Sequence, residues 1–175
     1  MPWQVDPAHT DVSFSARHMM ISFIRGHMRM AEAEIELDEA KPQNSWVKAK
    51  IDAATLDTRD ANRDGHLKSG DFLDVENHPY IEYASTEIVP KGAKKFEVRG
   101  NLTVRGKSAP LTLQGEWEGP VKDVFSGKRR VGFFLEGDID TEKWAITWNV
   151  PVEGLGWLIG KTAHLTIDAE AVEEE

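Results

Sequence analysis

Apolar and polar residues alternate one by one along most of the chain. In the first such segment, Val12, Phe14 and Ala16 alternate with polar neighbours. A period of two residues is typical of a β-strand with one face in a dry core and the other in water. The same alternation recurs around Ile35 and Leu37, Val47 to Ile51, Ile81 and Tyr83, Phe96 and Val98, Leu102 and Val104, Leu111 and Leu113, Val131 to Leu135, Ile146 and Trp148, and Leu165 and Ile167.

Turn-forming residues separate these segments. Glycine and proline supply the backbone conformations that tight turns require. They occur between the strands at Pro90 and Gly92, Arg105-Gly106, Gly119-Pro120, Ser126-Gly127, and Gly154 and Gly156. Short strands with such spacing predict an all-β fold, either a sandwich or a closed barrel. Closure would remove the exposed edges of a long antiparallel sheet.

One polar segment, residues 58–74, shows no alternation and is rich in Asp and Arg. We predict a long connection with a short helix near Asn62–Ser69, although Gly65 lowers the helix propensity. No internal repeat or linker divides the chain. Its 175 residues are the length of one domain, spanning 1–175, that can bury roughly 70% of its unfolded surface.

The same segment contains Asp60, Asn62 and Asp64 followed by Gly65, which fits the first half of an EF-hand calcium loop. The ninth position of that loop, however, is Lys68, a cation where an oxygen ligand or its water should lie. The flanking segments also lack the pattern of two amphipathic helices. The motif is therefore interpreted as part of a polar connection.

Composition excludes several kinds of chemistry. The chain has no cysteine, which excludes disulfides, thiolate nucleophiles and zinc–thiolate sites. With 21 basic and 30 acidic residues the net charge is −9, which disfavours nucleic acid and anionic membrane surfaces as partners. No stretch approaches the roughly 20 apolar residues of a membrane span, so we expect no stable membrane insertion.

Localisation is predicted from the N-terminus, which shows neither a basic start nor an apolar run. We expect a cytoplasmic protein, or a periplasmic one if the chain is a processed form.

Catalytic and metal-binding patterns are weak. His9, His18 and His27 recur every nine residues, but an odd spacing places successive residues of a strand on opposite faces. No nucleophile elbow or glycine-rich phosphate loop is present. We therefore predict no catalytic residue, no metal site and no cofactor.

Tryptophan is abundant for this length, with six residues, several of them on predicted strands. Such side chains either fill a core or line an elongated cavity. Periodicity does not distinguish a filled barrel from a hollow one.

Four groups of residues carry a more specific pattern. The chain opens with Trp3, Asp6-Pro7 and His9-Thr10. Arg17-His18-Met19 is followed by Ile24-Arg25-Gly26. A central block, Arg63–Asp74, precedes His78-Pro79, and Gly100–Gly106 forms a later turn. As a collinear set, these groups resemble the YceI family of polyisoprenoid-binding, lipocalin-like proteins.

The resemblance implies an eight-stranded antiparallel lipocalin-like β-barrel with one or two short helices around a long apolar tunnel. The expected ligand is a long-chain isoprenoid or fatty lipid, such as a polyprenyl chain or a quinone tail. Burial contributes about 0.8 kcal/mol per methylene, whereas association costs about 4–15 kcal/mol. A chain of roughly sixteen carbons yields about 13 kcal/mol before that cost, so only long lipids should bind well.

The expected ligand-binding residues point inward from the strands, except two that follow the first strand and could meet a polar or pyrophosphate head group. Those two are His18 and Arg25. The inward set is Phe14, Leu37, Val47, Ile81, Tyr83, Leu102, Leu113, Phe133, Leu135, Ile146, Trp148 and Leu165.

Three hypotheses follow. The first is carriage, storage or sequestration of such a lipid. The second is a filled barrel that acts as a protein-interaction module, and the third is an enzyme acting on such lipids, which would need a polar cluster with shifted pKa values inside the barrel. A homodimer through the outer sheet face is a further possible assembly.

Overall fold

The fold, described by a computed structural model over residues 2–174, is a sheet of long strands with one α-helix. The helix α1 spans Ala61–Lys68. Short 3₁₀ turns lie at Pro7–His9, Pro42–Asn44 and Thr141–Trp144. The strands are β1 Pro2–Val5, β2 Asp11–His18, β3 Ser22–Glu36, β4 Trp46–Asp57, β5 Tyr80–Pro90, β6 Lys95–Val104, β7 Lys107–Lys122, β8 Arg129–Asp140, β9 Pro151–Val152, β10 Gly156–Trp157 and β11 Ile159–Glu173.

The sheet closes on itself. Strands β2 to β8 pair antiparallel in sequence order, and β11 pairs with both β8 and β2. Eight strands therefore form a barrel, which confirms the predicted all-β, eight-stranded antiparallel fold with a short helix. The strands β9 and β10 form a separate small hairpin.

The short strand β1 extends the wall beyond the start of β2. It pairs with β11 on one side and β3 on the other, with Trp3 opposite both Glu173 and Ile35. Asp6 interrupts the line between β1 and β2, because its carboxylate accepts a hydrogen bond from the Ala8 amide and starts a 3₁₀ turn.

The two ends of the barrel differ. One end, called here the hairpin rim, carries the loops 37–45, 91–94 and 123–128. The other, called the helix rim, carries the turn 19–21, the connection 58–79 that contains α1, and the segment 141–158. No helix within the described range is long and apolar enough to cross a membrane.

The strand predicted around Ile146 and Trp148 is wrong. Trp144 is buried and its indole Nε1 donates to the Leu102 carbonyl at 2.7 Å, which draws the chain into the barrel end. Ala145 then adopts a left-handed conformation with φ of 58°. The Asn149 side chain bonds the Ile159 backbone in place of a strand partner. The segment is irregular as a result.

The residues that resemble an EF-hand have structural roles. Asp60 caps α1 by accepting from the Arg63 amide at 2.9 Å. Asp64 accepts from the backbone amide of Thr58 at 2.9 Å and from its hydroxyl. The pattern is therefore explained by the helix and its connection.

Candidate functional site

Two cavities lie one after the other along the barrel axis. The hairpin-rim cavity has a volume of about 170 Å³, and the helix-rim cavity one of about 210 Å³. On β11, Leu165, Ile167 and Ala169 line the first cavity, whereas Ala163 lines the second. The boundary falls at the cross-strand pair of Phe14, which lines the helix-rim cavity, and Leu165.

Glycines on the strands leave room for inward-pointing aromatic rings to lie against the wall. A Cβ atom on Gly26 would come within 2.5 Å of Phe14 Cζ. A Cβ on Gly100 would lie 2.7 Å from Tyr83 Cζ. Glycine in a strand permits such close approach at the expense of strand propensity. These rings therefore cover the wall without filling the lumen.

The third such pair lies in the hairpin-rim cavity. Gly115 is directly opposite Phe96 across the β6–β7 ladder, and a Cβ on Gly115 would come within 2.6 Å of Phe96 Cε2. The same Cβ would lie 2.7 Å from Leu135 Cδ2. Phe96 and Leu135 both line the cavity, so the cavity depends on the absence of a side chain at Gly115.

The polar atoms of the lumen wall are engaged. The Tyr83 hydroxyl donates to the Leu111 carbonyl at 2.9 Å, and burial raises the pKa of the Tyr83 phenol. Within residues 2–174, no buried side-chain nitrogen or oxygen lacks a hydrogen-bond partner. A ligand of the hairpin-rim cavity would therefore meet apolar surface along its length.

Among the described residues, the charged side chains that line the hairpin-rim cavity lie where it opens. Its mouth is formed by the β3–β4 loop and the β5–β6 turn, with Asp38, Pro42, Gly92 and Lys95 among the lining residues. Hydrogen bonding from the Lys41 amide lowers the pKa of Asp38. The carboxylate of Asp38 thus shapes its own loop and does not point a free charge into the lumen.

The helix-rim cavity is the more polar of the two and has aromatic rings in its wall. Trp148 packs edge-on against His66 and tilted against Phe72, with centroids 4.5 and 5.4 Å apart. At the opening, Lys161 and Glu142 form an ion pair of 2.9 Å. This end could accept a group with some polarity.

A cluster of possible metal ligands, Asp6, His9 and Glu170, lies on the outer wall. The Arg130 guanidinium already occupies it, with Nη1 2.7 Å from Asp6 and 3.2 Å from Glu170. The hydrogen bond to Arg130 lowers the pKa of Asp6 to about 2. A metal ion would have to displace this arginine.

Most of the residues expected to bind ligand line one of the two cavities. Leu37, Val47, Tyr83, Leu102, Leu113, Phe133, Leu135 and Leu165 line the hairpin-rim cavity. Phe14, Ile146 and Trp148 line the helix-rim cavity.

Three of the expected residues lie outside both linings. Ile81 is buried in the main core. His18 ends β2 at the helix rim. Arg25 points outward from β3, where its guanidinium carbon lies 5.5 Å from the centre of the Phe23 ring. The structure therefore brings no cation from this set to the lumen.

Sequence reasoning missed several lining residues. Phe96 and Trp117 line the hairpin-rim cavity, and so do the small residues Ala33, Ala49 and Ala169. Phe96 and Ala49 lie on alternating positions that were visible in the sequence. The importance of the alanines could be seen only once the space they leave was known.

An eight-stranded antiparallel barrel around apolar cavities defines a lipocalin-like protein. A family model, the YceI-like domain, matches residues 3–171, and the chain belongs to this family. A UPF0312 protein of Vibrio parahaemolyticus is 30% identical over 159 residues, which cover 90% of this chain and 81% of the relative. A UPF0312 protein of Staphylococcus epidermidis is 28% identical over 165 residues, 94% of each chain.

Solved structures share the fold. BcnA of Burkholderia cenocepacia aligns with a TM-score of 0.80 at 20% identity, over 95% of this chain and 98% of that one. A YCEI protein of Campylobacter jejuni has a TM-score of 0.71 at 24% identity, over 91% and 90%. A polyisoprenoid binding domain from Saccharophagus degradans has a TM-score of 0.70 at 10% identity, over 98% of both chains.

Proposed function

We propose that the chain binds a long-chain isoprenoid-type lipid inside the barrel, without a chemical step, for carriage, storage or sequestration. The observation that carries this proposal is the apolar lumen, in which strand glycines leave room for aromatic rings beside the wall. The name of the Saccharophagus degradans neighbour, a polyisoprenoid binding domain, supports the same class of ligand. An apolar wall discriminates poorly among prenyl chains, quinone tails and acyl chains.

The cavity volumes favour a ligand that occupies both cavities. A dry cavity of about 150 Å³ holds a molecule of the size of benzene. Each cavity alone is close to that size, at about 170 and 210 Å³. A long chain would therefore run along the axis and pass the pair of Phe14 and Leu165. Rotation of these two side chains would join the cavities.

The test is native mass spectrometry of the purified protein, followed by lipid extraction and identification. We expect a stoichiometric adduct with the mass of an isoprenoid or another long-chain lipid. A protein that stays free of adducts after incubation with octaprenyl and long acyl lipids would contradict the proposal and favour the interaction module.

A pair of variants links the adduct to the lumen. Leu113→Trp adds a large ring at a residue that lines the hairpin-rim cavity, and should reduce retained lipid by about tenfold or more because the ring takes the space of several methylenes. Thr112→Trp adds the same ring at the preceding position of β7, which is exposed, and this variant should retain lipid normally. Equal retention in both variants would exclude binding at this wall.

A further inference from the structure

The tip of the β7–β8 hairpin exposes two large apolar side chains at the hairpin rim. Val124 is 87% exposed and Phe125 is 97% exposed. Both lie in the turn 123–128, beyond the ends of β7 and β8. Neither side chain contributes to either core cluster of the barrel, so their apolar surface is free to contact something else.

This turn is built to hold its shape. The Asp123 carboxylate accepts from the Phe125 amide at 2.9 Å, from the Ser126 hydroxyl at 2.9 Å and from Arg130 Nε at 2.8 Å. The bonds from the Phe125 amide and the Arg130 guanidinium hold the pKa of Asp123 well below its usual range. Phe125 is therefore displayed by an ordered turn.

Basic side chains surround the apolar tip, although the whole chain has a net charge of −9. Lys122 and Lys128 flank the tip and are exposed, and across residues 2–174 neither forms an ion pair with a carboxylate. In the adjacent β5–β6 turn, the Lys94 ammonium lies 3.9 Å from the Trp117 ring centre and donates to the Gly119 carbonyl at 3.1 Å. The two turns thus form one basic surface.

Two acidic residues of the neighbouring β3–β4 loop are already engaged. Glu39 pairs with Arg129 at 2.7 Å. Asp38 accepts hydrogen bonds from the amides of its own loop. Glu118 on β7 is exposed, but Lys122 and Lys128 lie at the turn itself, next to Val124 and Phe125. These two cations are therefore the charges closest along the chain to the apolar tip.

We infer that this tip docks on a lipid bilayer that carries anionic head groups. The inference rests on the proposed function, because docking here turns the mouth of the hairpin-rim cavity, lined by Pro42, Gly92 and Ala93, towards the membrane. An exposed aromatic and aliphatic pair flanked by lysines is the combination that partitions into the bilayer interface. The lipid would be taken from the membrane, or released to it, through this rim.

The helix rim also exposes large apolar residues, but each of them is less exposed than Val124 and Phe125. They are Met20, Ile21, Phe23, Val150, Leu155 and Trp157. Ile21 is 69% exposed, whereas Phe23 is 47% exposed and is partly covered by the Arg17 guanidinium, 4.6 Å from its ring centre. The cavity at this rim is also the more polar of the two, with the Lys161–Glu142 ion pair at its opening. The helix rim therefore provides a matched control.

The experiment is flotation of the full chain with vesicles of phosphatidylcholine, with and without phosphatidylglycerol. We expect binding to the anionic vesicles that weakens as salt is added. Phe125→Ser should weaken this binding by about tenfold, because the phenyl ring no longer leaves water. The double variant Lys122→Glu, Lys128→Glu should abolish the preference for phosphatidylglycerol. Ile21→Ser, at the helix rim, should bind as the unmodified chain does.

Three outcomes would overturn the inference. In the first, Ile21→Ser loses vesicle binding while Phe125→Ser keeps it, which would place the docking surface at the helix rim. In the second, no vesicle binding occurs and sedimentation equilibrium shows a dimer that Phe125→Ser dissociates, so the tip contacts a second copy. In the third, no variant differs from the unmodified chain.

Loading from detergent separates this inference from the proposed function. Each variant is incubated with a long-chain polyprenol delivered in detergent and then examined by native mass spectrometry. Uptake of polyprenol from detergent without binding to vesicles would support the proposed function and contradict only the membrane docking. A chain that does not load from detergent refutes the proposed function whatever the vesicles show.

Discussion

Glycine residues opposite aromatic rings determine how much of the barrel interior stays open. Phe14 and Phe96 are each directly paired with a glycine across the ladder, Gly26 and Gly115. Because a Cβ at either glycine would overlap the ring, the ring would have to swing into the lumen or push the neighbouring strand away. The open interior of this barrel thus depends on the absence of side chains at Gly26 and Gly115.

Substitution of one of these glycines should affect stability and binding together. Gly115→Ala would place a Cβ 2.6 Å from Phe96 Cε2, and should lower the free energy of unfolding by about 1–3 kcal/mol through overpacking. The displaced ring should also reduce lipid retention. Urea unfolding and native mass spectrometry measure the two effects. Gly132→Ala has no atom within 4 Å of the new Cβ and should be neutral or slightly stabilising; equal losses in both variants would contradict the role of Phe96.

Much of the lumen wall could be predicted from the residues alone, but its openness could not. Strict alternation correctly placed Tyr83 and Leu113 on the inner face. Arg25 was expected to reach a ligand head group, yet the β2–β3 register puts it on the outer face opposite Ser15. The pairing of rings with glycines also depends on register, which joins residues far apart in sequence.

The connection between β4 and β5 shows how one element is held to the barrel. Thr58 is the one buried polar residue of the described chain, at 3% exposure. Asp64 of α1 accepts from its amide and hydroxyl, while Arg63 donates from Nε to its hydroxyl at 2.8 Å and from Nη2 to its carbonyl at 2.6 Å. The helix is therefore fastened by polar contacts, since α1 has no fully buried residue of its own.

Removal of the Asp64 carboxylate should loosen this connection. Asp64→Ala leaves the buried amide and hydroxyl of Thr58 without their acceptor, at a cost of about 1–3 kcal/mol in the free energy of unfolding. Asp71→Ala removes only a surface contact with His66 and should cost less than about 1 kcal/mol. Chemical denaturation compares the two. A loss no greater in Asp64→Ala would show that water replaces the carboxylate.

Helices and strands could be predicted from the sequence where the local pattern and the tertiary contacts favour the same structure. The short helix was predicted near Asn62–Ser69 and occurs at Ala61–Lys68, because Asp60 caps it locally. The alternation of Ile146 and Trp148 suggested a strand, but the buried indole of Trp144 and the turn at Ala145 prevent one. A single long-range contact outweighed the local pattern there.

Arg130 joins three parts of the whole molecule. Its guanidinium contacts Asp6, which follows β1, Asp123 in the β7–β8 turn, and Glu170 on β11. Hydrogen bonding to Arg130 holds the pKa of Asp6 at about 2, below the ordinary 3.8. The Asp6 carboxylate also hydrogen-bonds His9 at 2.9 Å and thereby raises the pKa of that imidazole above 6.5.

These pKa shifts predict the pH dependence of stability. A lowered carboxylate pKa stabilises the fold above about 3.8, and this contribution disappears as the pH falls through about 2. A raised imidazole pKa stabilises the fold below about 6.5 and is lost as the pH rises through the folded value. Asp6→Asn should therefore lower the urea midpoint, relative to the unmodified chain, by the largest amount between about pH 4 and 6.5.

A second variant checks which partner is responsible. In a His9→Gln background, the decrease in urea midpoint caused by Asp6→Asn should no longer become smaller above pH 6.5. It should still disappear at acid pH. A deficit that is independent of pH in both backgrounds would mean that Asp6 acts only as the cap of the 3₁₀ turn.

The two ends of the described chain lie side by side, because the Glu174 amide donates to the Pro2 carbonyl at 3.1 Å and β1 pairs with β11. A few added residues could therefore join them covalently and leave the ladder of the barrel unchanged. The break in the polypeptide could then be moved to another exposed loop by circular permutation. Because the strands form a closed ring, a permuted chain could begin at a different strand and still form the same strand pairs. The order of the strands along the chain could thus change while the barrel stays the same.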